Sequence, residues 1–269
     1  MPLAVCATPI GNLDDVTLRV LAELRAAHTV LAEDTRHTRG LLERHGIRAR
    51  LLSYHEHNEA ARVAELLPRL AAGERLALVT DAGLPGISDP GMRLVRAALD
   101  AGLDVTVLPG PSAVETALVA SGLAGGSYAF VGFLPRGKPA LAALWRDTAA
   151  WATTVVGFES PKRLAATLRS LADADPERPV AVCRELTKLF EEVARGTAAE
   201  LVARFSEAPK GEITLVVSPP APRAGGADRS TALRAVSDLV AAGTPRRVAA
   251  EVVSRFTDTS RNDLYEGTL

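Results

Sequence analysis

Cysteine is almost missing from this chain: Cys6 and Cys183 are the only two in 269 residues. Both stand in apolar, strand-like runs, so they read as buried free thiols, and a disulfide framework or a metal site is not expected. Long apolar runs are missing as well, and none reaches the roughly 18 residues needed to span a bilayer. No basic residue precedes the first apolar stretch, Met1–Cys6, which argues against an export signal and for a cytoplasmic protein. Lysine is scarce, at positions 138, 162, 188 and 210, while arginine and alanine are abundant. That pattern follows genomic composition and carries no recognition signal. Whole signatures are absent too. There is no Gly-rich loop ending in Gly-Lys-Ser/Thr, no G-x-S-x-G elbow, no C-x-x-C and no zinc-spaced Cys/His set. ATP hydrolysis is therefore not expected. The turn around Gly11 departs from G-x-G-x-x-G, which argues against a standard dinucleotide site.

What is present is globular: 47% hydrophobic and 23% charged residues, with room for two compact domains and a small third. One stretch organises the rest. Leu76–Thr80 reads as a buried strand, and Asp81–Gly91, with three glycines and two prolines in eleven residues, can only be a loop. Met92–Ala101 then reads as a helix, with Leu94, Val95, Ala98 and Leu99 on one face. Ligands of open α/β sheets sit where strands end and such loops begin.

The same alternation runs through the first 121 residues. Strands are expected at 3–7, 29–32, 50–53, 76–80 and 105–108, with helices to about 27, to about 45, over 59–72, from 92, and from 112 to 120. Thr17 and Ser112 are the N-cap candidates, and Glu115 sits at the capping-box position. Short connections between strand and helix point to a parallel α/β sheet. A break at Gly122–Gly126 opens a second unit, over 122–218, with strands at 128–133, 153–158, 180–183 and 212–217. It is strand-dense and is expected to be mixed. Residues 219–229, rich in proline and glycine, read as a linker, and 230–269 as three short helices.

Charge is local rather than global, since the net charge is −1. Arg36–Arg69 holds seven arginines against four glutamates and four of the five histidines. Polyanion contact is one reading and solvated helix faces the other. The last helices carry +2 between Arg246 and Arg261, which suits either a nucleic-acid contact or a packing appendage. Chemistry-bearing residues gather at strand ends: Asp34, His55, His57, Asp81, Asp89, Glu159 and Glu185. Carboxylates there are poor phosphate ligands. They suit hydroxyls, an amine, or removal of a proton from a hydroxyl.

Five segments come in fixed order: Thr8–Asp15, Ala32–Arg36, Ser53–Glu59, Thr80–Gly91 and Leu108–Ser112, joined later by Phe158–Arg163, Arg184–Lys188 and Lys210–Glu212. In this the chain resembles, over its whole length, the tetrapyrrole-methylase-like family of S-adenosylmethionine methyltransferases. Within it the likeness is to the bacterial branch that methylates a cytidine ribose 2′-oxygen in the decoding region of 16S ribosomal RNA. One departure is the short basic stretch after Pro135, with fewer lysines and arginines than that branch leads one to expect. The resemblance implies two α/β domains with a cleft between them, a small helical tail, a homodimer, and the small ribosomal subunit as partner. It implies S-adenosylmethionine in the cleft, lined by Ile10, Asp81, Leu84, Ser112 and Ala113 from the first domain and Phe158, Leu186 and Ile213 from the second. A base or acceptor for the hydroxyl would come from Asp34, His55 or Glu159. The alternatives are a carbon methyltransferase of corrin or sirohaem precursors and, more remotely, a non-enzymatic ribosome-binding protein. A small macrocycle needs neither the arginine- and histidine-rich segment nor the helical tail.

Overall fold

The computed structural model describes residues 2–151, 153–221, 229–257 and 259–269. Part of the expected linker, 222–228, lies outside the described residues. The chain divides into a compact unit, Met1–Pro219, and a smaller one, Pro220–Leu269.

The larger unit has two lobes. The first opens with β1 (Leu3–Cys6), a single 3-10 turn at Leu13–Asp15, α1 (Leu18–Ala26), β2 (Thr29–Ala32) and α2 (Thr35–Arg44). It continues with β3 (Leu51–Ser53), α3 (Glu59–Ala71), β4 (Leu76–Val79), α4 (Met92–Asp100), β5 (Val105–Leu108) and α5 (Ala113–Ser121). Its strands are all parallel, in the order β3-β2-β4-β1-β5. Because side chains alternate along a strand, each central strand feeds two cores. Ala4, Cys6, Ala77 and Val79 pack with Val20, Leu24 and Leu42 of α1 and α2. Leu3, Val5, Leu76 and Leu78 pack with Leu66, Leu70, Leu94 and Ala98 of α3 and α4. The helices leaving β1 and β4 thus lie on opposite faces of two adjacent strands. That is the switch point, and a crevice opens there beyond the carboxyl ends.

The second lobe comprises β6 (Tyr128–Phe133), α6 (Lys138–Thr148), β7 (Thr154–Glu159), α7 (Pro161–Ala174), β8 (Pro179–Arg184), β9 (Glu192–Thr197), α8 (Ala198–Arg204) and β10 (Ile213–Val217). Its sheet, β6-β7-β10-β8-β9, pairs β6 with β7 in parallel and the rest antiparallel, so it is mixed as expected. One face packs against α6, α7 and α8 through Leu141, Trp145, Leu164, Leu168 and Leu201. The other receives α5 of the first lobe. Val114, Ala117 and Leu118 meet Val156, Ala181, Cys183 and Val216 there, with Ile10 and Leu186 in the same apolar layer.

Strand β9 is absent from the sequence reading. Glu192 and Arg195 interrupt its short run, Glu192-Val193-Ala194-Arg195-Gly196-Thr197, and it is an edge strand bonded only to β8. The charges blunt that edge and also hide the strand. Ser112 is the N-cap of α5 by position, but its hydroxyl donates to the Glu115 carboxylate and caps no backbone N–H.

The smaller unit holds α9 (Arg229–Ala241), α10 (Arg246–Ser254) and α11 (Arg261–Glu266) around Ala232, Val236, Ala249, Ala250, Val253 and Leu264. Among the described residues no helix is long and apolar enough to cross a membrane.

Candidate active site

Five parallel strands deliver five loops to one edge of the first sheet. The two at the switch point are tied together. Thr8 and Gly83 exchange both backbone hydrogen bonds, at 2.8 and 3.1 Å, and the Thr8 hydroxyl donates to the Thr80 carbonyl at 3.0 Å. Gly83 lies in the left-handed region, φ 77°, as this turn requires. Beyond Thr8 the chain meets the second lobe. Asn12 N–H donates to Thr187 Oγ1 at 3.0 Å, and Gly11 faces the Leu186–Lys188 backbone so closely that a Cβ would lie 2.9 Å from the Leu186 carbonyl. The described non-glycine residues with positive φ are Ser88 (64°), Glu185 (52°) and Thr187 (67°), all on loops that flank this crevice. Such conformations cost energy and cluster where a site imposes them.

Acidic groups crowd the crevice floor. The Thr80 hydroxyl donates to Glu33 Oε2 at 2.6 Å, and Asp34 N–H donates to Asp81 Oδ1 at 3.1 Å. Burial, reinforced by the nearby Glu33 charge, pushes the Asp89 carboxyl up to about 7. Burial likewise raises Asp81 above the usual carboxylate range. Asp34 behaves in the opposite way. It caps α2, accepts from the Arg36 backbone N–H at 2.8 Å, and is held far below the ordinary range by the hydrogen-bonded Arg36 guanidinium.

The raised Asp89 gives a prediction. An acid that binds its proton more tightly folded than unfolded makes stability fall as pH rises from its unfolded value near 4 to its folded value near 7, with no further change above. Asp89→Asn removes that loss. After discounting for partial exposure, about 1 kcal/mol is expected, a Tm gain of about 2–4 °C at pH 8 that vanishes near pH 4. Thermal melts across that range check it, and a gain that does not depend on pH contradicts it.

His55 follows β3. Asn58 is fixed by its own backbone contacts, accepting from His55 N–H at 2.9 Å and donating to the Ser53 carbonyl at 3.2 Å, so its amide also donates to His55 Nε2. The neutral ring therefore carries its proton on Nδ1, which is buried and has no hydrogen-bond partner among the described residues. Tyr54 and the Gly91 N–H both donate to Glu59, linking this segment to the end of the glycine loop.

Of the residues expected in a cofactor pocket, the structure brings Ile10, Ala113, Phe158 and Leu186 into one layer between the lobes. Ser112 immediately precedes Ala113, Asp81 is on the crevice floor, and Leu84 packs partly buried against the α3–α4 side of the sheet. Ile213 is placed elsewhere. It pairs with Glu159 across β7–β10, while Phe158 pairs with Thr214, so Phe158 and Ile213 point to opposite faces. Ile213 accordingly sits in the second lobe's own core with Leu134, Leu164 and Leu215. Glu159 shares that face. Its side chain has no exposed surface and accepts from Ser160 N–H at 2.7 Å, Thr167 Oγ1 at 2.5 Å and Arg163 at 3.1 Å. It does not join Asp34 and His55.

Thr8, Asn12 and Thr187 were not singled out from sequence. Their contacts join loops up to 175 residues apart, and the signal for them was only that each stands within a Gly- or charge-rich strand end. No group of His, Cys, Asp or Glu among the described residues is arranged to hold a metal ion.

Two facing lobes, a parallel sheet with its switch-point crevice, and a mixed sheet laid across α5 define a methyltransferase class. Residues 2–202 match the family described as Tetrapyrrole (Corrin/Porphyrin) Methylases, and the chain belongs to that family. More particularly, it is 42% identical over 266 residues to the ribosomal RNA small subunit methyltransferase I of Micromonospora olivasterospora, covering 98% of this chain and 85% of that one. It is 44% identical to the protein of the same name from Thermotoga maritima, over 80% of this chain and 97% of that one. Among solved structures, the fold is similar to a uroporphyrin-III C-methyl transferase from Thermus thermophilus complexed with S-adenyl homocysteine. The TM-score is 0.56 at 20% identity, over 80% of this chain and 96% of that one.

Proposed function

We propose that this protein uses S-adenosylmethionine to methylate the 2′-oxygen of a cytidine ribose in the decoding region of 16S rRNA, in the small ribosomal subunit. The observation that carries the reading is the 42% and 44% identity to two proteins named as small-subunit rRNA methyltransferases. The crevice supports the donor. Glu33 and Asp81 line the floor where a ligand bearing a sulfonium and an ammonium would lie, and Asp89, lifted to about 7, adds negative charge there as it ionises beside a cation. A Cβ on Gly83 would fill the space between Ile10 Cγ2 and the Pro111 carbonyl oxygen, 3.9 Å from each. Glycine leaves that cradle open. Ala113 and Phe158, only partly buried, offer apolar surface for a flat ring.

When bound, the donor supplies a methyl group on a positively charged sulfur. The chain's part is placement and exclusion of water, which account for much of the gain in such transfers. In this reading Ile10, Asp81, Leu84, Ser112, Ala113, Phe158 and Leu186 hold the donor. Ile213 and Glu159 are left out, because their side chains serve the far face of the second sheet. Asp34 stays ionised beside Arg36, so it orients the ribose hydroxyl as a hydrogen-bond acceptor and is a weak base. His55, its ring fixed by the Asn58 amide, lies just past the end of β3 as the second polar group on the nucleotide side. The reading includes a homodimer. Edge strand β5 leaves Val107 51% exposed and α4 leaves Leu99 56% exposed, apolar surface that a second copy would cover.

Incubation with tritiated S-adenosylmethionine and small ribosomal subunits, followed by mapping of the label, tests the reading. Label is expected on one cytidine ribose. No label in rRNA, with label entering a uroporphyrinogen instead, would overturn it. In the same assay Asp34→Ala and His55→Ala should each lower turnover about tenfold, less than the roughly 10²–10⁴ of a general base, because neither takes the proton in this reading. Donor affinity measured by calorimetry should be unchanged in both. A wild-type rate in either variant removes that residue from the mechanism.

A further inference from the structure

Aromatic residues are few in this protein, with six phenylalanines in all, yet three of them form one run. Phe130 and Phe158 meet edge to face with ring centroids 4.9 Å apart, and Phe158 and Phe133 at 5.5 Å. The first two pack into the layer between the lobes. Phe133, at the end of β6, is 65% exposed.

The ring is held out on a fixed backbone. Gly132 before it has φ 68°. Leu134 after it is buried under Gly157, where a Cβ would fall 2.7 Å from Leu134 Cδ2. Arg163 donates to the Leu134 and Pro135 carbonyls at 2.7 Å each, and buried Glu159 orients that guanidinium. Phe133 thereby walls a groove of about 550 Å³ with Leu134, Pro135, Arg136, Ser160 and Arg163. The groove adjoins the glycine loop, since a Cβ on Gly132 would lie 3.7 Å from Ser88 Oγ. Arg136 is exposed and makes no salt bridge among the described residues. A flat aromatic face, an unpaired guanidinium, no free acid, and a volume suited to one nucleotide describe a receptor for an anionic ligand with a planar ring.

We propose that this groove is the nucleobase subsite: the base of the nucleotide to be methylated, turned out of its stack, lies on Phe133, and Arg136 takes an adjacent phosphate. The inference rests on the rRNA methylation reading and adds the part of the site that holds the substrate. Stacking on an aromatic ring tolerates any base, so Phe133 supplies affinity and placement, and the choice of cytidine is made elsewhere.

The test uses the full-length protein, small ribosomal subunits and tritiated donor. Phe133→Ala should lower kcat/KM for the subunit about tenfold to hundredfold, the range expected for loss of one base–aromatic stack. Donor affinity and Tm should not move, because the ring is mostly exposed, and Phe133→Tyr should restore the rate. Arg136→Ala should raise KM and reduce the slope of log affinity against log salt by about one. Phe133→Ala methylating at the wild-type rate would overturn the subsite while wild-type labelling keeps the parent reading. Loss of activity accompanied by dissociation to monomers in sedimentation would also overturn it, and would assign Phe133 to contact with a second copy. Failure of the wild-type protein to label rRNA would defeat both.

Discussion

Gly11→Ala should weaken donor binding by at least about tenfold and cost about 1–3 kcal/mol of stability, the usual penalty for overpacking a tight contact. A Cβ at this position would lie 2.5 Å from Lys188 Cγ, 2.7 Å from Thr187 Oγ1 and 2.9 Å from the Leu186 carbonyl oxygen. None of the three can yield easily. Lys188 is tethered through Nζ to Glu185 at 2.9 Å and Glu212 at 2.8 Å. Thr187 already sits at φ 67°, and its hydroxyl accepts from Asn12 N–H. The Leu186 carbonyl is backbone, between two left-handed residues. The loop must therefore retreat, taking with it Ile10, which packs in the layer between the lobes. Calorimetry with S-adenosylmethionine, a melting curve and the tritium assay check the three consequences together. Gly40→Ala is the control, because nothing lies within 4 Å of a Cβ there and α2 should gain about 0.5–1 kcal/mol. Wild-type affinity in Gly11→Ala would show that the contact between these loops does not shape the donor site.

That contact also marks where sequence stops being informative. The parallel sheet was legible because its central strands are buried on both faces and read as unbroken apolar runs, Leu3–Cys6 and Leu76–Val79 among them. The crevice was legible because Gly83, Gly86 and Gly91 mark a loop no regular element could hold. Which side chains enter the crevice was not. Phe158 and Glu159 are neighbours, and only the pairing of β7 with β10 decides that Phe158 faces the first lobe while Glu159 and Ile213 face α7. A one-residue change of register would exchange them. Asp34 and Asp89 show the same limit for charge. Both are aspartates at strand or loop ends, yet Arg36 holds one far below its usual range and burial lifts the other to about 7. Strand β9 escaped because charge on its solvated edge outweighs the apolar signal of Val193 and Ala194.

Glu159→Ala should be among the most destabilising single changes in the second lobe, at about 3–5 kcal/mol, the cost of removing one partner of a buried ion pair. With roughly 2–4 °C of Tm per kcal/mol in a domain of this size, the melting point should drop by about 6–20 °C. The carboxylate accepts from a backbone N–H, a hydroxyl and a guanidinium, with no contact to solvent. Alanine leaves the Ser160 N–H and the Thr167 hydroxyl without this acceptor and the Arg163 guanidinium without its counter-charge. Arg163 then loses the partner that aims it at the Leu134 and Pro135 carbonyls, so the Phe133 rim should loosen and KM for the subunit should rise. Glu159→Gln separates this role from catalysis. It keeps one acceptor oxygen but turns an amide toward Arg163 or Thr167, so its Tm should fall between those of wild type and Glu159→Ala. Assayed well below that Tm, it should keep a single-turnover rate within a few-fold of wild type at saturating donor. A proton acceptor would behave in the opposite way, with Gln matching the wild-type melt and losing about 10²–10⁴ in rate. Melting curves and single-turnover labelling of the two variants decide between a carboxylate that takes a proton and one that holds the substrate rim in place.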